Sequence, residues 1–339
     1  MRRGRSRAGT GARLTGALLL ALAMVAAAGL ASRAGGAARL PILGFQAEGD
    51  PPSAITRSAG GLASVGVDGL LLTGPGEVSR VDSAELRQLA RAHRQHLPAQ
   101  LLVSNYSNRI NDFSERLARA TLANPAAIAA LVSRLRTEVL SGGWSGVILD
   151  IESLQRRDAR GLVQLASSLR AALPANLGVG VTLGNSTTAA GFVQTGFDLG
   201  GLAASGAQLI LMAYDQHGTW ERTPGPVGAL SWARAGLRVL LGRVPGSHVV
   251  LGVAGYGYAW RPHGVTYVSD AQARRLAGQP GAHAQWVRSV GEWRARLRDG
   301  STVWWSDARS LGVRERLAAT LHLAGLAVWS LGLSDPIRG

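Results

Sequence analysis

The sequence contains no cysteine and no lysine. The first absence excludes disulfide stapling and thiolate metal sites. The second leaves arginine to supply all 36 basic residues against 21 acids, for a net charge of +15. Those arginines are scattered, without a basic run beyond the N-terminus and without interleaved aromatics. They describe a solvated basic surface, and no nucleic-acid partner is expected. Charged residues are only 17% of the chain and hydrophobic ones 46%, over 339 residues. That suffices for one large α/β domain or two ordinary ones, with a sizeable core.

The first forty residues stand apart in composition. "MRRGRSRAGTGAR" is basic and free of acids, "LTGALLLALAMVAAAGLA" is a continuous apolar run, and "SRAGGAA" is made of small residues. This is the order of a secretory signal, and the apolar run of about eighteen residues is also long enough to span a bilayer uncleaved. Residues 1–40 are therefore expected to be a signal peptide or an N-terminal membrane anchor. Either would place the remaining chain outside the cytoplasm, secreted or held on the extracytoplasmic face of a membrane.

After residue 40, short apolar runs alternate with amphipathic stretches. Strands are expected at 41–47, 67–74, 100–107, 146–152, 177–184, 207–215, 248–258 and 326–332. Between them, "SAELRQLARAHRQH", "AAIAALVSRLRTEVL" and "RGLVQLASSLRAAL" carry apolar residues at three- and four-residue spacing, the helical period. Eight near-continuous apolar strands alternating with helices imply a parallel sheet covered by helices. The count of eight favours a (β/α)8 TIM barrel over residues 41–339. Residues 261–305 exceed a single helix and contain "VTYVSD", "HAQWVRSVGEWRARL" and "STVWWSD". They are expected to form a small α+β insertion between strands seven and eight. The expected oligomeric state is a monomer.

In a TIM barrel the C-terminal ends of the strands carry the site. Here those ends collect Asp150 and Glu152, Tyr214 and Asp215, Trp329, Asn105 and Tyr106, and Tyr256 and Tyr258. Residues i and i+2 of a strand share a face, about 6–7 Å apart. Asp150 and Glu152 thus point together into the barrel mouth. Two adjacent carboxylates do not ionise independently, and one is pushed towards holding its proton at neutral pH. That is what a general acid acting on a glycosidic oxygen requires. The same pair could instead be neutralised by arginine or ligate a metal, but no histidine lies at ligand spacing nearby. No metal and no cofactor is assigned. The Trp329 indole suits the apolar face of a sugar ring, though such a residue is equally at home in an ordinary core.

"GWSGVILDIE", "LILMAYDQHG" and "GLAVWSLG", in this order on strands four, six and eight, resemble the signatures of family 18 glycoside hydrolases. "GPV" at 225–227, "LGVAGYGYAW" at 251–260 and "VWWSDARS" at 303–310 are similar to further motifs of its bacterial spore-cortex and peptidoglycan N-acetylglucosaminidase branch. The resemblance implies a glycosidase acting on β-linked N-acetylglucosamine polymers, peptidoglycan before chitin, by substrate-assisted retaining catalysis. It implies Glu152 as the acid, Asp150 as the group that polarises the substrate acetamide, and Tyr214 as a donor to the acetamide or the intermediate. Asp215, Trp329, Asn105, Tyr256 and Tyr258 would bind substrate. Where the family motif DxxDxDxE has its first two aspartates, this sequence has Ser145 and Ile148. The alternative is an amino-sugar-binding barrel with weak or no turnover. A metal-dependent barrel hydrolase is a third possibility.

Overall fold

The structure, a computed structural model, describes residues 39–339. The expected signal or anchor segment, but for its last two residues, lies outside the described residues. Eight parallel strands form the centre: β1 (Ile42–Gln46), β2 (Ser64–Gly74), β3 (Ala99–Ser104), β4 (Gly146–Asp150), β5 (Gly178–Gly184), β6 (Gln208–Met212), β7 (Val249–Ala254) and β8 (Gly325–Trp329). Each pairs with its sequence neighbour, and β8 pairs with β1, so the sheet closes into a TIM barrel. Among the described residues no helix is long and apolar enough to cross a membrane.

Alternation along each strand divides the side chains between two cores. On β4, Val147, Leu149 and the following Ile151 belong to the large cluster under the helices, whereas Ile148 joins Leu43, Phe45, Leu102, Ile210, Val250 and Ala327 inside the barrel. Asp150 and Glu152 continue the inward row that Ile148 begins, so the buried strand passes directly from core to mouth. Room inside is made by glycine: a Cβ on Gly66 would lie 2.7 Å from the Phe45 ring.

The helices begin and end where local chemistry allows. Ser83–Arg94 starts from a capping box between Asp82 and Glu85. Pro125–Gly142 follows an Asn124 cap with proline in the first turn, and stops at Gly143, whose φ of 77° favours glycine.

The insertion starts earlier than its sequence suggests. β7 ends at Ala254, and Tyr256–Arg261 is a separate strand rather than the continuation of β7. It pairs antiparallel with Gly264–Ser269 and Thr302–Trp305 in a five-stranded sheet completed by Glu292–Arg296 and His283–Val287. The break comes at Gly255, where a Cβ would lie 2.4 Å from Ser334 and the backbone N–H donates to the Trp329 carbonyl. Helix Asp270–Ala277 covers this sheet, and Trp293 stacks on Trp305 with ring centroids 5.8 Å apart.

A buried ion pair ties the insertion to the barrel. Glu292 accepts from the backbone N–H groups of Val227 and Gly228, and Arg314 donates to Glu292 and to the Gly291 and Gly228 carbonyls. Both side chains are sealed, at 0% and 1% exposure.

Candidate active site

At the C-terminal end of the barrel lies a cavity of about 290 Å³ lined by Asp150, Glu152, Tyr214, Asp215 and Trp329, together with Glu48, Asp68, Ser104, Tyr106, Thr182 and Tyr267. Asp150 ends β4, and its Oδ1 accepts a 2.6 Å hydrogen bond from the Thr182 hydroxyl on β5. Burial raises the Asp150 carboxyl to about pH 6, against the opposing pull of that hydrogen bond. Glu152 lies two residues on, half-buried. Burial first, and then the charges of Asp150, Asp215 and Asp112, push its pKa well above the ordinary range. Near neutral pH the pair therefore consists of a charged Asp150 and a protonated Glu152.

The Glu152 backbone is held on both sides by Asn105. The Asn105 amide donates to the Glu152 carbonyl at 2.9 Å and to the Ser114 carbonyl at 3.2 Å, and its oxygen accepts from the Glu152 N–H at 2.8 Å. Asn105 is fully buried and does not line the cavity. Its expected contact with substrate is thus corrected to bracing the acid's main chain. Asn105→Ala leaves buried backbone groups without partners. It is expected to cost about 1–3 kcal/mol of unfolding free energy, measured by denaturant titration.

Tyr256 and Tyr258 require a similar correction. They stand on the first insertion strand, fully buried, and do not line the cavity. Both hydroxyls donate to Asp215 Oδ1, that of Tyr258 at 2.7 Å. Burial raises the Asp215 carboxyl while these two phenols lower it. Asp215 itself sits just beyond β6 in left-handed backbone, with φ of 57°, a conformation that aspartate tolerates better than most residues. Tyr214 precedes it. Burial, followed by the charges of Asp150 and Asp215, keeps its phenol well above its usual pKa, hence a neutral donor. Trp329 ends β8 with its ring 5.3 Å from that of Phe45 and tilted by 52°.

Several cavity residues carried no signal that sequence reasoning used. Thr182 is the one hydroxyl in "LGVGVTLG", where every other side chain is apolar or absent. Tyr267 is half-exposed on the edge strand of the insertion, so only the tertiary fold brings it to the barrel mouth. Asp68 lies within "VDGLLLTG", where a lone acid in an apolar strand was the available hint. Ser145 is at the opposite end of β4: its N–H bonds to Ala99 and its carbonyl accepts from Gly178, both at strand starts. Five residues of strand, roughly 16 Å, separate it from Asp150.

Similarity to known proteins agrees with this geometry. The family model "Glycosyl hydrolases family 18" matches residues 80–333. The Cortical fragment-lytic enzyme of Bacillus subtilis is 27% identical over 261 residues, covering 71% of this chain and 58% of that enzyme. Among solved structures, a chitinase from Chromobacterium violaceum superposes with a TM-score of 0.79 at 25% identity, covering 87% of this chain and 95% of the other. The spore cortex-lytic enzyme SleL of Bacillus megaterium does so with a TM-score of 0.76 at 22% identity, covering 88% and 72%. A barrel of this closure, with its acids at the end of β4 and a family match over most of its length, belongs to glycosyl hydrolase family 18 and is a glycosidase.

Proposed function

We propose that the protein is an exported hydrolase of β-linked N-acetylglucosamine polymers, with peptidoglycan as the preferred substrate class and chitin as the second. The observation that carries this reading is the convergence of Asp150, Glu152, Tyr214 and Asp215 on one cavity beside the Trp329 indole. Relatives named as cortex-lytic support the peptidoglycan preference. The N-terminal leader supports export.

In the proposed reaction a sugar packs on Trp329, and its acetamido N–H is held by the charged Asp150. Glu152 gives its proton to the glycosidic oxygen as the bond to the anomeric carbon breaks. The substrate's own acetamido oxygen attacks that carbon, giving a cyclic oxazolinium with retention over the two steps. Tyr214 donates to the acetamido oxygen as it shifts, and Asp215, oriented by two phenols, shapes the same pocket. Water then opens the ring and returns a proton to Glu152. The substrate brings the nucleophile, so a second carboxylate at attacking distance is not required.

The pH dependence follows from the signs. Asp150 must be charged, so kcat/KM is expected to rise as pH increases through about 6. Glu152 must be protonated, so the rate falls again on the alkaline side. A rate profile measured from pH 4 to 10 checks this, and a profile flat across pH 6 would refute the assignment of Asp150. The substrate assignment is tested by incubating purified protein with peptidoglycan and with chitooligosaccharides, followed by mass analysis of the products. Products ending in N-acetylglucosamine from peptidoglycan are expected. Release from chitooligosaccharides alone would reverse the preference, and saturable binding without turnover would leave a sugar-binding barrel.

A further inference from the structure

The inward acids of this barrel are not confined to β4. Asp68 on β2 lines the same cavity as Asp150 and Glu152. Alternation turns it inward, two residues after Gly66, whose missing side chain faces Phe45 and Ile148, and the strand becomes irregular just beyond it: the register with β3 shifts between Asp68, opposite Leu102, and Leu70, opposite Val103. The extra residue, Gly69, lets both Asp68 and Leu71 line the cavity while Leu70 remains in the outer core. Bulges of this kind re-aim side chains next to sites. Leu102 is in turn level with Ile148, so Asp68, Leu102 and Ile148 form one row across β2, β3 and β4. In that row β4 contributes an apolar side chain directly below Asp150, and the acid stands two strands away.

We propose that Asp68 is a positioning acid that stores the proton which Asp150 shares during turnover, in a barrel whose fourth strand places only Ile148 beneath Asp150. The proposal rests on the glycosidase reading of this site. When Glu152 gives up its proton to the leaving oxygen, it becomes a carboxylate facing charged Asp150 and Asp215. A proton passing from Asp68 to Asp150, directly or across one water, removes one of those adjacent charges and leaves the negative charge on Asp68. Glu152 recovers its proton from the hydrolytic water, and the shared proton returns from Asp150 to Asp68. No proton is gained or lost over the cycle.

The surroundings of Asp68 favour the stored proton. Burial is the first cause, followed by the charges of Asp150 on β4 and Glu48 in the loop after β1, with Glu85 of helix Ser83–Arg94 contributing further; the Glu48 backbone N–H opposes them. Together they raise the Asp68 carboxyl to about 7. Asp150, at about 6, therefore ionises before Asp68 as pH rises. Glu85 approaches from behind the bulge, where a Cβ on Gly69 would lie 3.0 Å from its Cγ. The Glu48 backbone N–H is the one influence among these that favours the charged form, and the rest favour the stored proton.

The test compares full-length wild type with Asp68→Asn, which keeps an oxygen to accept from Glu48, and with Asp150→Asn. Infrared titration of the folded proteins reads the proton without needing turnover. Protonated-carboxyl signals titrating near pH 7 are expected in wild type from both Asp68 and Glu85; the Asp68 part, read as the difference from Asp68→Asn, is absent in that variant and shifted to lower pH in Asp150→Asn. An unshifted Asp68 part in Asp150→Asn overturns the coupling. Kinetics then read the use of the proton. Asp68→Asn is expected to lower kcat roughly tenfold to a hundredfold, at or below the lower end for a positioned proton-transfer group, with KM within about twofold of wild type. Its alkaline limb should move to higher pH, because in wild type the stored proton is lost before that of Glu152, and in the variant only Glu152 sets the limb. A merely electrostatic neighbour would act in the opposite sense, since removing its charge lowers the Glu152 pKa and moves that limb down. A wild-type kcat, or a limb that moves down or stays, overturns the proposal. If wild type releases no product from any amino-sugar polymer, the glycosidase reading of the substrate fails instead, and the infrared arm still decides whether the two acids share a proton.

Discussion

Glu152→Gln is expected to lower kcat by about 10²–10⁴-fold, the range lost when a positioned general acid is removed, while substrate binding persists. Glutamine preserves the length and planarity of the side chain but has no acidic proton to give. The Asn105 brace acts on the Glu152 main chain and is untouched by the change. The Trp329 indole, the Thr182–Asp150 hydrogen bond and the Tyr214 phenol also stay in place. The effect should therefore appear in kcat, with the dissociation constant for a chitooligosaccharide, measured by calorimetry, within a few-fold of wild type. Equal release of reducing ends by the two proteins would sink the assignment of Glu152 as the acid. A loss confined to KM would move Glu152 into substrate binding.

The second large effect lies far from the proton chemistry. Arg314→Met is expected to destabilise the fold by about 3–5 kcal/mol, the cost of leaving one member of a buried ion pair without its partner. Glu292 would keep its two backbone donors at Val227 and Gly228 but lose the cation hydrogen-bonded to it. The Gly228 and Gly291 carbonyls would lose donors as well. For about 300 folded residues at roughly 2.1 cal/mol/K of unfolding entropy each, that corresponds to a fall in Tm of about 5–8 °C. The pair joins helix Ala308–Thr320, the insertion and the 216–229 loop that follows Asp215. Loss of order there should also reduce activity. A Tm within 1–2 °C of wild type, by calorimetry, would show the pair to be replaceable.

Much of the architecture was legible because it is written in local patterns. A barrel strand buried on both faces must be apolar nearly throughout, and a covering helix must repeat its apolar residues every three or four positions. Both periods stand out in a chain with few aromatics. The site was legible where acids interrupt such a strand, as at Asp150 and Glu152, because an unpaired carboxylate in a core demands an explanation. It was misread where a motif runs across a structural break. "GVAGYGY" looks like one strand, yet β7 ends at Ala254, before Gly255, and Tyr256 begins an antiparallel sheet. Two tyrosines expected to hold sugar instead hold Asp215. Asn105 was likewise read from its position at a strand end, and no local pattern reveals that its amide is spent on the backbone of Glu152.

The sequence by itself determined that eight apolar strands alternate with helices, that β4 carries two acids two residues apart, and that the segment after β7 is too long for a single helix. These follow from periodicity and from the cost of burying charge. Only the tertiary structure decided which acids meet. Asp68 and Asp150 are 82 positions apart in the chain, and Thr182 is a further 32 beyond. They share a cavity because the sheet closes on itself and because alternation along each strand turns these residues inward. Proximity across a barrel depends on register and closure, quantities that no stretch of sequence contains. The gathering of acids at this mouth is accordingly a property of the closed sheet rather than of the motif on β4.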